Sequence, residues 1–551
     1  MTKKQGSVSV YALLTMMILL TASLGAAALA IGSLGRATNE KKALASFEGA
    51  QGGLDWTITQ GFKDLDLNNG FFVTTQYDLS NVIAPTSPGA TAWGRIDPNP
   101  DATYAWITAA ATYKGSTRSV RALVTARNVG IWNNAIFAGT GASGQAINGN
   151  VDIRGSVHIL GDGEQYSDLN NNGHWDAAEA FTDKNKNGVW DPGEVFVDAN
   201  GDGVRNLAEP YNDTNKNGIY DPPLTQTDLN SSFSGTAHIG NHYSGMPVGL
   251  EARVPAPPRF SGIESLSTEV RVKHGQIGIS GNATIGASGS IDGGTSKGTI
   301  DGAYVSDGWT GNQGSSQVFS DNGTSNGYDL SNLGIDFPLL SGIGAQPYLD
   351  KSTGVVYPTQ ENYLDTKGMV VAVPSITTAT SSFSFSDANG NSITWNKATG
   401  TLNIQGVVKI QGEIQIGSKD TIYYTGNGTI YSTSNVRIDG NFLPAAGQTF
   451  PTTARVGLIA KENMYLAAGN GSSQLSMAGA FYAQGQIVSR KQNQIAGTFV
   501  ANFYDLGTNV PNIYQVPALP RNMPPAMPGD KNYYTLKTRS WRQRDASSLI
   551  K

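Results

Sequence analysis

Residues Val407–Gly417 read Val-Val-Lys-Ile-Gln-Gly-Glu-Ile-Gln-Ile-Gly, so that aliphatic and polar side chains alternate between glycines. Successive side chains of a strand point to opposite faces, and this pattern therefore predicts short strands with one apolar face. Related stretches lie at residues 149–161, 270–303, 393–438 and 456–506. Many short strands with glycine at their corners predict an irregular parallel β-solenoid over residues 131–509. A twisted antiparallel sandwich is the second interpretation.

The composition agrees with a mainly β chain that is rich in turns. Of 551 residues, 67 are glycine, 15% are charged and none is cysteine. The length allows two to four domains, and the glycines lack the strict three-residue period of collagen. The absence of cysteine excludes disulfides, thiolate metal sites and a cysteine nucleophile.

A repeat of fifteen residues interrupts the predicted solenoid over residues 166–228. An EF-hand loop places oxygen ligands at positions 1, 3, 5, 7, 9 and 12 and glycine at position 6. Three copies match this template completely. Their side-chain ligands are Asp168, Asn170, Asn172, Asp176 and Glu179 in the first loop, Asp183, Asn185, Asn187, Asp191 and Glu194 in the second, and Asp198, Asn200, Asp202, Asn206 and Glu209 in the third. The sequence therefore predicts three strong calcium sites.

A fourth copy supplies Asp213, Asn215, Asn217 and Asp221 but has Leu224 at position 12. We expect it to bind calcium more weakly, unless Asp228 or a neighbouring loop contributes a ligand. At position 7 the ligand of an EF-hand loop is a backbone carbonyl. This role falls to His174, Val189, Val204 and Ile219.

Only three residues separate one loop from the next, so the helices that flank a true EF-hand have no room. The repeat resembles the compact calcium loops of dockerin and thrombospondin type 3 repeats. Aromatic residues stand two places before each opening aspartate and at position 8, except for Arg205: Tyr166, Trp175, Phe181, Trp190, Phe196, Tyr211 and Tyr220. We expect these rings to stack between loops, and sugar-binding platforms are the alternative.

Charge is unevenly distributed along the chain. Residues 164–228 hold thirteen acidic and four basic residues, whereas the whole chain has a net charge of −5. The low number of carboxylates in each loop predicts calcium affinities on the order of 10⁻⁵ to 10⁻³ M, which suits an extracellular protein. The acidic segment argues against nucleic acid as a partner.

The N-terminus carries Lys3 and Lys4, then Gly6, and no further charged residue before Arg36. Residues 7–62 are predicted to form an apolar helix that is long enough to span a membrane, with its first residues in the cytoplasm. In the later part of this helix, Leu44, Phe47, Gln51 and Leu54 are expected on one face. Residues 63–130 are predicted to form strands, including an antiparallel pair at Tyr104–Tyr113 and Ser119–Ala126.

The leader of residues 1–6, the apolar helix and the segment Ala45–Leu54 resemble PilX-like minor pilins of type IV pili. This resemblance implies cleavage by prepilin peptidase after Gly6, a mature protein that begins at Ser7, and other pilins as partners. The fifth residue after that cut is Tyr11, where pilins usually carry glutamate. Two other interpretations remain open, namely an uncleaved signal anchor and a secretory signal peptide cut after Ala28 or Ala30.

The C-terminal residues 510–551 are predicted to form a proline-rich extended strap followed by a solvated basic tail. An enzyme is not expected, because candidate acids such as Asp301, Asp387 and Asp439 are scattered along the chain. A polysaccharide lyase or hydrolase stays open only by analogy with other solenoids.

These features together predict an envelope-anchored, surface-projecting protein of the minor-pilin kind, stabilised by calcium and acting in pilus assembly or adhesion. The N-terminal helix would lie in the inner membrane or a pilus, with the bulk of the chain outside the cytoplasm. The alternative is a membrane-anchored, calcium-dependent surface adhesin without a pilus. A surface glycan or protein is the expected ligand in either case.

Overall fold

The computed structural model divides the chain into two units, residues 1–128 with 532–551, and residues 129–531. The structure describes residues 7–67, 72–84, 88–98, 104–128, 130–142, 152–171, 173–198, 203–214, 216, 218–222, 238–260, 263–264, 266, 268, 270–272, 277–279, 284–285, 295–297, 303–305, 309–310, 318–320, 335–469, 474–506, 511–529 and 534–545. The leader predicted at residues 1–6, including Gly6, lies outside these residues.

The described helices are few. They are α1 (Ser7–Leu67), α2 (Ser80–Ile83), α3 (Val248–Glu251) and α4 (Gln360–Lys367), with 3₁₀ turns at Ile131–Asn133 and Leu519–Arg521.

The described strands are numerous and mostly short. They are β1 (Thr75–Asp78), β2 (Thr91–Pro98), β3 (Tyr104–Tyr113), β4 (Ser116–Asn128), β5 (Ile136–Ala142), β6 (Asp152–Arg154), β7 (Val157–Ile159), β8 (His238–Gly240), β9 (Arg259–Phe260), β10 (Ile263–Glu264), β11 (Val270–Val272), β12 (Ile277–Ile279), β13 (Thr284–Ile285), β14 (Thr295–Lys297), β15 (Ala303–Val305), β16 (Trp309–Thr310), β17 (Val318–Ser320), β18 (Tyr348–Leu349), β19 (Val356–Tyr357), β20 (Met369–Val371), β21 (Ser375–Ile376), β22 (Phe383–Ser386), β23 (Ser392–Asn396), β24 (Thr401–Ile410), β25 (Ile414–Ile416), β26 (Thr421–Ser432), β27 (Val436–Ile438), β28 (Asn441–Pro444), β29 (Arg455–Ala460), β30 (Met464–Leu466), β31 (Ser476–Ser489), β32 (Gln494–Asp505), β33 (Asn512–Tyr514) and β34 (Tyr534–Asp545). The prediction of a mainly β chain behind a long N-terminal helix is confirmed.

Helix α1 ends at Leu67, past the predicted end at residue 62. By length and composition it is the one helix of the described residues that is able to cross a membrane. Its later part packs on a sheet through Ala50, Leu54 and Thr57, each at most 2% exposed. Leu44 is 57% exposed and Gln51 is also exposed, so the predicted face is wrong at these two residues. The buried stripe uses small side chains, which a search for large apolar residues does not detect.

The sheet beside α1 has the strand order β1-β2-β3-β4-β34. The predicted antiparallel pair is confirmed, because Tyr104 pairs with Thr125 and Tyr113 with Ser116. Lys114 and Gly115, with φ of 46° and 80°, form the tight turn between the two strands. Positive φ at both central residues gives a turn whose twist matches that of paired strands.

Strand β34 replaces the basic tail that the sequence predicts. It pairs antiparallel with β4, and the Trp541 ring lies edge-on to Phe47 with centroids 6.1 Å apart. Lysine and arginine alternate here with Leu, Thr and Trp, so the charges hide the two-residue period of an edge strand. The second unit is therefore inserted in the sequence between two neighbouring strands of this sheet.

In the second unit, successive strands pair in parallel and in register. One inward-facing position recurs through nine strands, occupied in spatial order by Met369, Val408, Ile430, Leu458, Phe481, Phe499, Ile136, Val157 and Val270. All nine side chains are at most 8% exposed. Burial of each contributes roughly 1.5 to 3 kcal/mol, which makes this column a main part of the core.

Antiparallel strands stand at both ends of the parallel stack. At one end β22 pairs with β23 and β23 with β24, and at the other β15 pairs with β11 and β17. The proline-rich residues 511–529 contact the stacked part of the second unit. In this contact, Trp132 Nε1–H donates a hydrogen bond to the Pro528 carbonyl at 2.7 Å. They also contribute β33, which pairs with β32 and β6, so the stacked strands extend beyond the predicted boundary at residue 509.

Candidate calcium-binding repeat

The fifteen-residue repeat folds as a hairpin with two arms. Tyr166 faces Tyr211 and Phe181 faces Phe196 in isolated antiparallel bridges. Near the tip, the Thr182 N–H donates to the Val195 carbonyl at 2.7 Å. The first copy therefore lies beside the third and fourth, and the second copy forms the tip.

Each opening aspartate accepts a hydrogen bond from the glycine at position 6 of its own loop. The N···Oδ2 distances are 2.8 Å for Gly173 and Asp168, 2.7 Å for Gly188 and Asp183, 2.9 Å for Gly203 and Asp198, and 2.8 Å for Gly218 and Asp213. These glycines have φ between 75° and 79°, a left-handed conformation in which a side chain is strained. The four loops thus share the turn that a calcium loop needs.

Asparagine amides draw the middle ligands of the first and second loops together. Asn170 Nδ2 donates to Asp176 Oδ2 at 2.7 Å in the first loop. In the second loop, Asn185 and Asn187 both donate to Asp191 Oδ2, at 2.6 and 3.0 Å. Positions 3 and 9 therefore converge in the first loop, and positions 3, 5 and 9 converge in the second, as the template requires. The ligands predicted at Asn172, Asn200, Asp202, Asn215 and Asn217 lie outside the described residues.

A glutamate is bonded to each loop through the residue at position 9. The glutamate N–H donates to the position 9 carbonyl, and the position 9 N–H donates back to the carboxylate. The four pairs are Glu164 with Asp221, Glu179 with Asn206, Glu194 with Asp191, and Glu209 with Asp176. The same carboxylates accept the N–H of position 2 from Leu169, Lys184 and Thr214 at 2.6 to 2.8 Å. All four glutamates therefore share the bridge to position 9, and Glu164, Glu194 and Glu209 also share the bond to position 2.

The glutamates serve the loops in the reverse of their sequence order. The sequence assigns Glu179 to the first loop and Glu209 to the third, and the structure places each in the other loop. Only Glu194, at the tip, lies in the loop that contains it. The fourth loop, which lacks its own glutamate, receives Glu164. The signal for this residue is visible in the sequence, because Glu164, Glu179, Glu194 and Glu209 share the fifteen-residue period of the loops.

Burial and hydrogen bonding act in opposite directions on Glu164, which is 3% exposed. Desolvation raises the pKa of its carboxyl group above the usual value, and the N–H groups of Thr214 and Asp221 partly oppose that rise. A buried carboxylate is costly unless hydrogen bonds and a cation compensate it. The donor set suits a hard cation of the calcium kind.

The side chain at position 8 supports the same glutamates. Trp175 Nε1–H donates to the Glu209 carbonyl at 2.8 Å, and Trp190 Nε1–H to that of Glu194 at 3.1 Å. Arg205 Nε–H donates to the Glu179 carbonyl at 3.2 Å. Arg205 thus supplies the donor that tryptophan supplies elsewhere, which accounts for the break in the aromatic series.

The aromatic side chains pack against one another within the hairpin. Trp175 stacks on Tyr220 with ring centroids 4.7 Å apart, and Tyr166 and Tyr211 meet Tyr220 edge-on at 5.6 and 5.7 Å. Burial raises the pKa of Tyr220 to about 12. The rings occupy the place of an aliphatic core, as the sequence predicts, and this packing favours a structural role for them.

The base of the hairpin contacts other segments of the second unit. Asn212 Nδ2–H donates to the Ile343 carbonyl at 2.8 Å, and its Oδ1 accepts the Ile343 N–H at 3.1 Å. Lys216 Nζ lies 2.8 Å from Glu462 Oε1. The fourth loop is therefore the copy that joins the repeat to the stacked strands.

The residues at position 7 expose their side chains: Val189 is 62% exposed, Val204 62% and Ile219 66%. This agrees with a role for their backbone rather than their side chains, as it would for His174, which is also exposed. Among the described residues, no three His, Asp or Glu side chains lie close enough together to hold one metal ion. Calcium binding therefore stays a prediction.

Acidic residues elsewhere have structural partners. Asp387 accepts the N–H groups of Asn389 and Asn391, both at 2.9 Å, in a turn. Asp439 pairs with Arg437 at 3.2 Å and accepts the Gly469 N–H. Asp301 lies outside the part of the chain that the structure describes.

Comparisons with known proteins give limited information. No protein-family model matches the chain, and no curated protein sequence matches it. Among solved structures, the chain is similar to the competence-associated pilin ComZ from Thermus thermophilus, with 17% sequence identity and a TM-score of 0.48. The match covers 91% of this chain and 97% of that one.

Proposed function

We propose that the chain is an envelope-anchored, surface-projecting protein of the minor-pilin kind that acts in pilus assembly or adhesion. The observation that supports this most directly is the 61-residue helix α1. Its first half is apolar and exposed, whereas its second half packs on an antiparallel sheet. One continuous helix thus joins a segment that is apolar enough to cross a membrane to a folded domain, and this continuity supports an anchor over a removable signal peptide.

Calcium binding by the repeat forms the second part of the proposal. Four loops share the aspartate–glycine bond and the glutamate bridge, and in the first and second loops asparagine amides also bind the aspartate at position 9. Calcium prefers six to eight such oxygen ligands. Bound calcium would stiffen a hairpin that has few aliphatic contacts. Isothermal titration of the detergent-solubilised chain with Ca²⁺ should show binding in the range of about 10⁻⁵ to 10⁻³ M, with Mg²⁺ as the control. Absence of heat at millimolar Ca²⁺ would count against this part.

N-terminal sequencing of the native protein tests the membrane anchor. A start at Ser7 supports the minor-pilin assignment, and an intact Met1 supports an uncleaved anchor. A start near Ile31 would show that α1 does not anchor the mature protein, and would overturn the proposal.

A calcium-dependent surface adhesin without a pilus is the second candidate. Tyr11 stands where pilins usually carry glutamate, and this departure favours an anchor that does not enter a pilus shaft. Deletion of the gene separates the two candidates. Loss of pili or twitching favours the minor pilin, whereas loss of attachment with intact pili favours the adhesin.

A further inference from the structure

The burial and the ion pairing of the hairpin glutamates bear on where a cation binds. Glu164, Glu194 and Glu209 are 3%, 9% and 4% exposed. No Lys, Arg or His of the described residues forms an ion pair with any of these three. Buried carboxylates normally pair with a cation or bind a metal, because backbone N–H groups alone do not neutralise them. Each of the three therefore points to a cation that the protein itself does not supply.

We propose that the repeat binds its calcium ions in a crossed pattern, in which three of the four loops take their position 12 glutamate from the opposite arm, and that Glu164 completes a fourth full site. This inference rests on the proposed calcium binding and specifies which residues form each site. Glu164 serves the loop of Asp213, Glu179 that of Asp198, Glu194 that of Asp183, and Glu209 that of Asp168.

The fourth site then has the same charge as the others. Asp213, Asp221 and Glu164 would contribute three carboxylates once an ion draws them together, the number that the first loop would gain from Asp168, Asp176 and Glu209. The number of carboxylates is one of the features that tune affinity in such loops. We therefore expect the fourth loop to bind calcium as tightly as the first, instead of more weakly as the sequence alone predicts.

The crossed pattern also makes each outer ion a link between the two arms. An ion in the fourth loop would join Glu164, where the hairpin leaves the stacked strands, to Asp213 and Asp221, where it returns. This loop also carries the contacts of Asn212 with Ile343 and of Lys216 with Glu462. The fourth ion would thus close the base of the hairpin.

Counting bound ions in paired variants tests the crossed pattern. Native mass spectrometry of the full chain in detergent with Ca²⁺ should give four ions for the unmodified protein and three for Glu164→Gln. Exposed Glu251→Gln in α3 is the matched control and should keep four. The glutamine substitutions keep the size and an acceptor oxygen of the side chain, and the melting temperature of each calcium-free variant monitors its folding.

Double variants distinguish the crossed pattern from the arrangement within single loops. If Glu209 and Asp168 share a site, Asp168→Asn with Glu209→Gln removes one ion, and Asp198→Asn with Glu209→Gln removes two. Ligands taken within one loop give the opposite numbers. In the same way, Glu164→Gln with Asp213→Asn should remove only one ion.

The outcomes separate this inference from the proposal on which it rests. No bound calcium in the unmodified protein would overturn both. An ion count in Glu164→Gln that equals the count in the unmodified protein, or two ions lost from the pair Asp168→Asn and Glu209→Gln, would overturn the crossed pattern and leave calcium binding intact.

Discussion

Phe499 of β32 lies in parallel register with Ile136 of β5, and both side chains are at most 1% exposed. Strand β5 is the first stacked strand of the second unit in sequence, and β32 is one of the last. The two strands are nevertheless neighbours in the middle of the stack. The column of inward-facing residues continues through this junction without interruption. The two ends of the stack in space are therefore formed by segments from the middle of the sequence, and the unit cannot be completed until its last strands are present.

Replacement of Phe499 tests whether this junction carries stability. Because the ring packs on Phe481 with centroids 5.2 Å apart and is fully buried, Phe499→Ala should cost about 3 to 5 kcal/mol of unfolding free energy. Phe385→Ala is the matched control, since Phe385 is 44% exposed, and should cost less than about 1 kcal/mol. Urea unfolding measures both, and equal costs would contradict a central position for Phe499.

The sequence predicts which face of a strand is buried more readily than which strand lies beside it. Alternation in Val407–Gly417 correctly places Val408 and Ile410 inside, at 0% and 1% exposed. A two-residue period contains no information on partners, so the junction of Phe499 with Ile136 was not predictable. The fifteen-residue repeat shows the same limit, because the template identifies the residue type at each position but not the loop to which each glutamate is hydrogen-bonded. Strand β34 was missed because charged side chains on an edge strand resemble a solvated tail.

Adjacent glycines of α1 should respond in opposite ways to the same substitution. A side chain at Gly53 would meet Leu79 Cδ1 at 3.0 Å and Ala109 Cβ at 3.5 Å, whereas nothing lies within 4 Å of one at Gly52. Gly53→Leu should therefore cost about 1 to 3 kcal/mol, because it overpacks the contact between helix and sheet. Gly52→Leu should stabilise the helix by roughly 0.5 to 1 kcal/mol. Thermal unfolding of the two variants in detergent compares them directly, and a loss of stability in Gly52→Leu would show that this face is not free.

Arg205 should be replaceable by tryptophan but not by leucine. Its Nε–H donates to the Glu179 carbonyl, and its guanidinium lies 4.5 Å from the centroid of the Phe181 ring. Tryptophan restores the donor and the ring contact that Trp175 and Trp190 provide in their loops. We expect Arg205→Leu to lose about 1 to 2 kcal/mol and Arg205→Trp to stay within about 0.5 kcal/mol of the unmodified protein. Similar losses in both variants, measured by thermal unfolding with Ca²⁺, would mean that the positive charge itself is required.

Removal of calcium should open the repeat while the stacked strands remain folded. The hairpin exposes Val189, Val204 and Ile219, so few aliphatic contacts hold its arms together, and its carboxylates repel one another when no cation is bound. Trypsin should then cut after Lys184 and Lys186, which are exposed near the tip, and after Arg205. The stacked strands should resist, since their core consists of buried aliphatic and aromatic side chains that do not depend on the ion.

Limited trypsin digestion in EDTA, in excess Ca²⁺ and in equimolar Mg²⁺ measures this effect, with N-terminal sequencing of the fragments to locate the cuts. We expect cleavage within residues 166–222 to accelerate at least tenfold in EDTA and to slow again when Ca²⁺ is restored, which corresponds to an opening free energy about 1.4 kcal/mol lower without the ion. Cleavage that is equally slow in all three conditions would show that hydrogen bonds and ring stacking alone keep the hairpin closed.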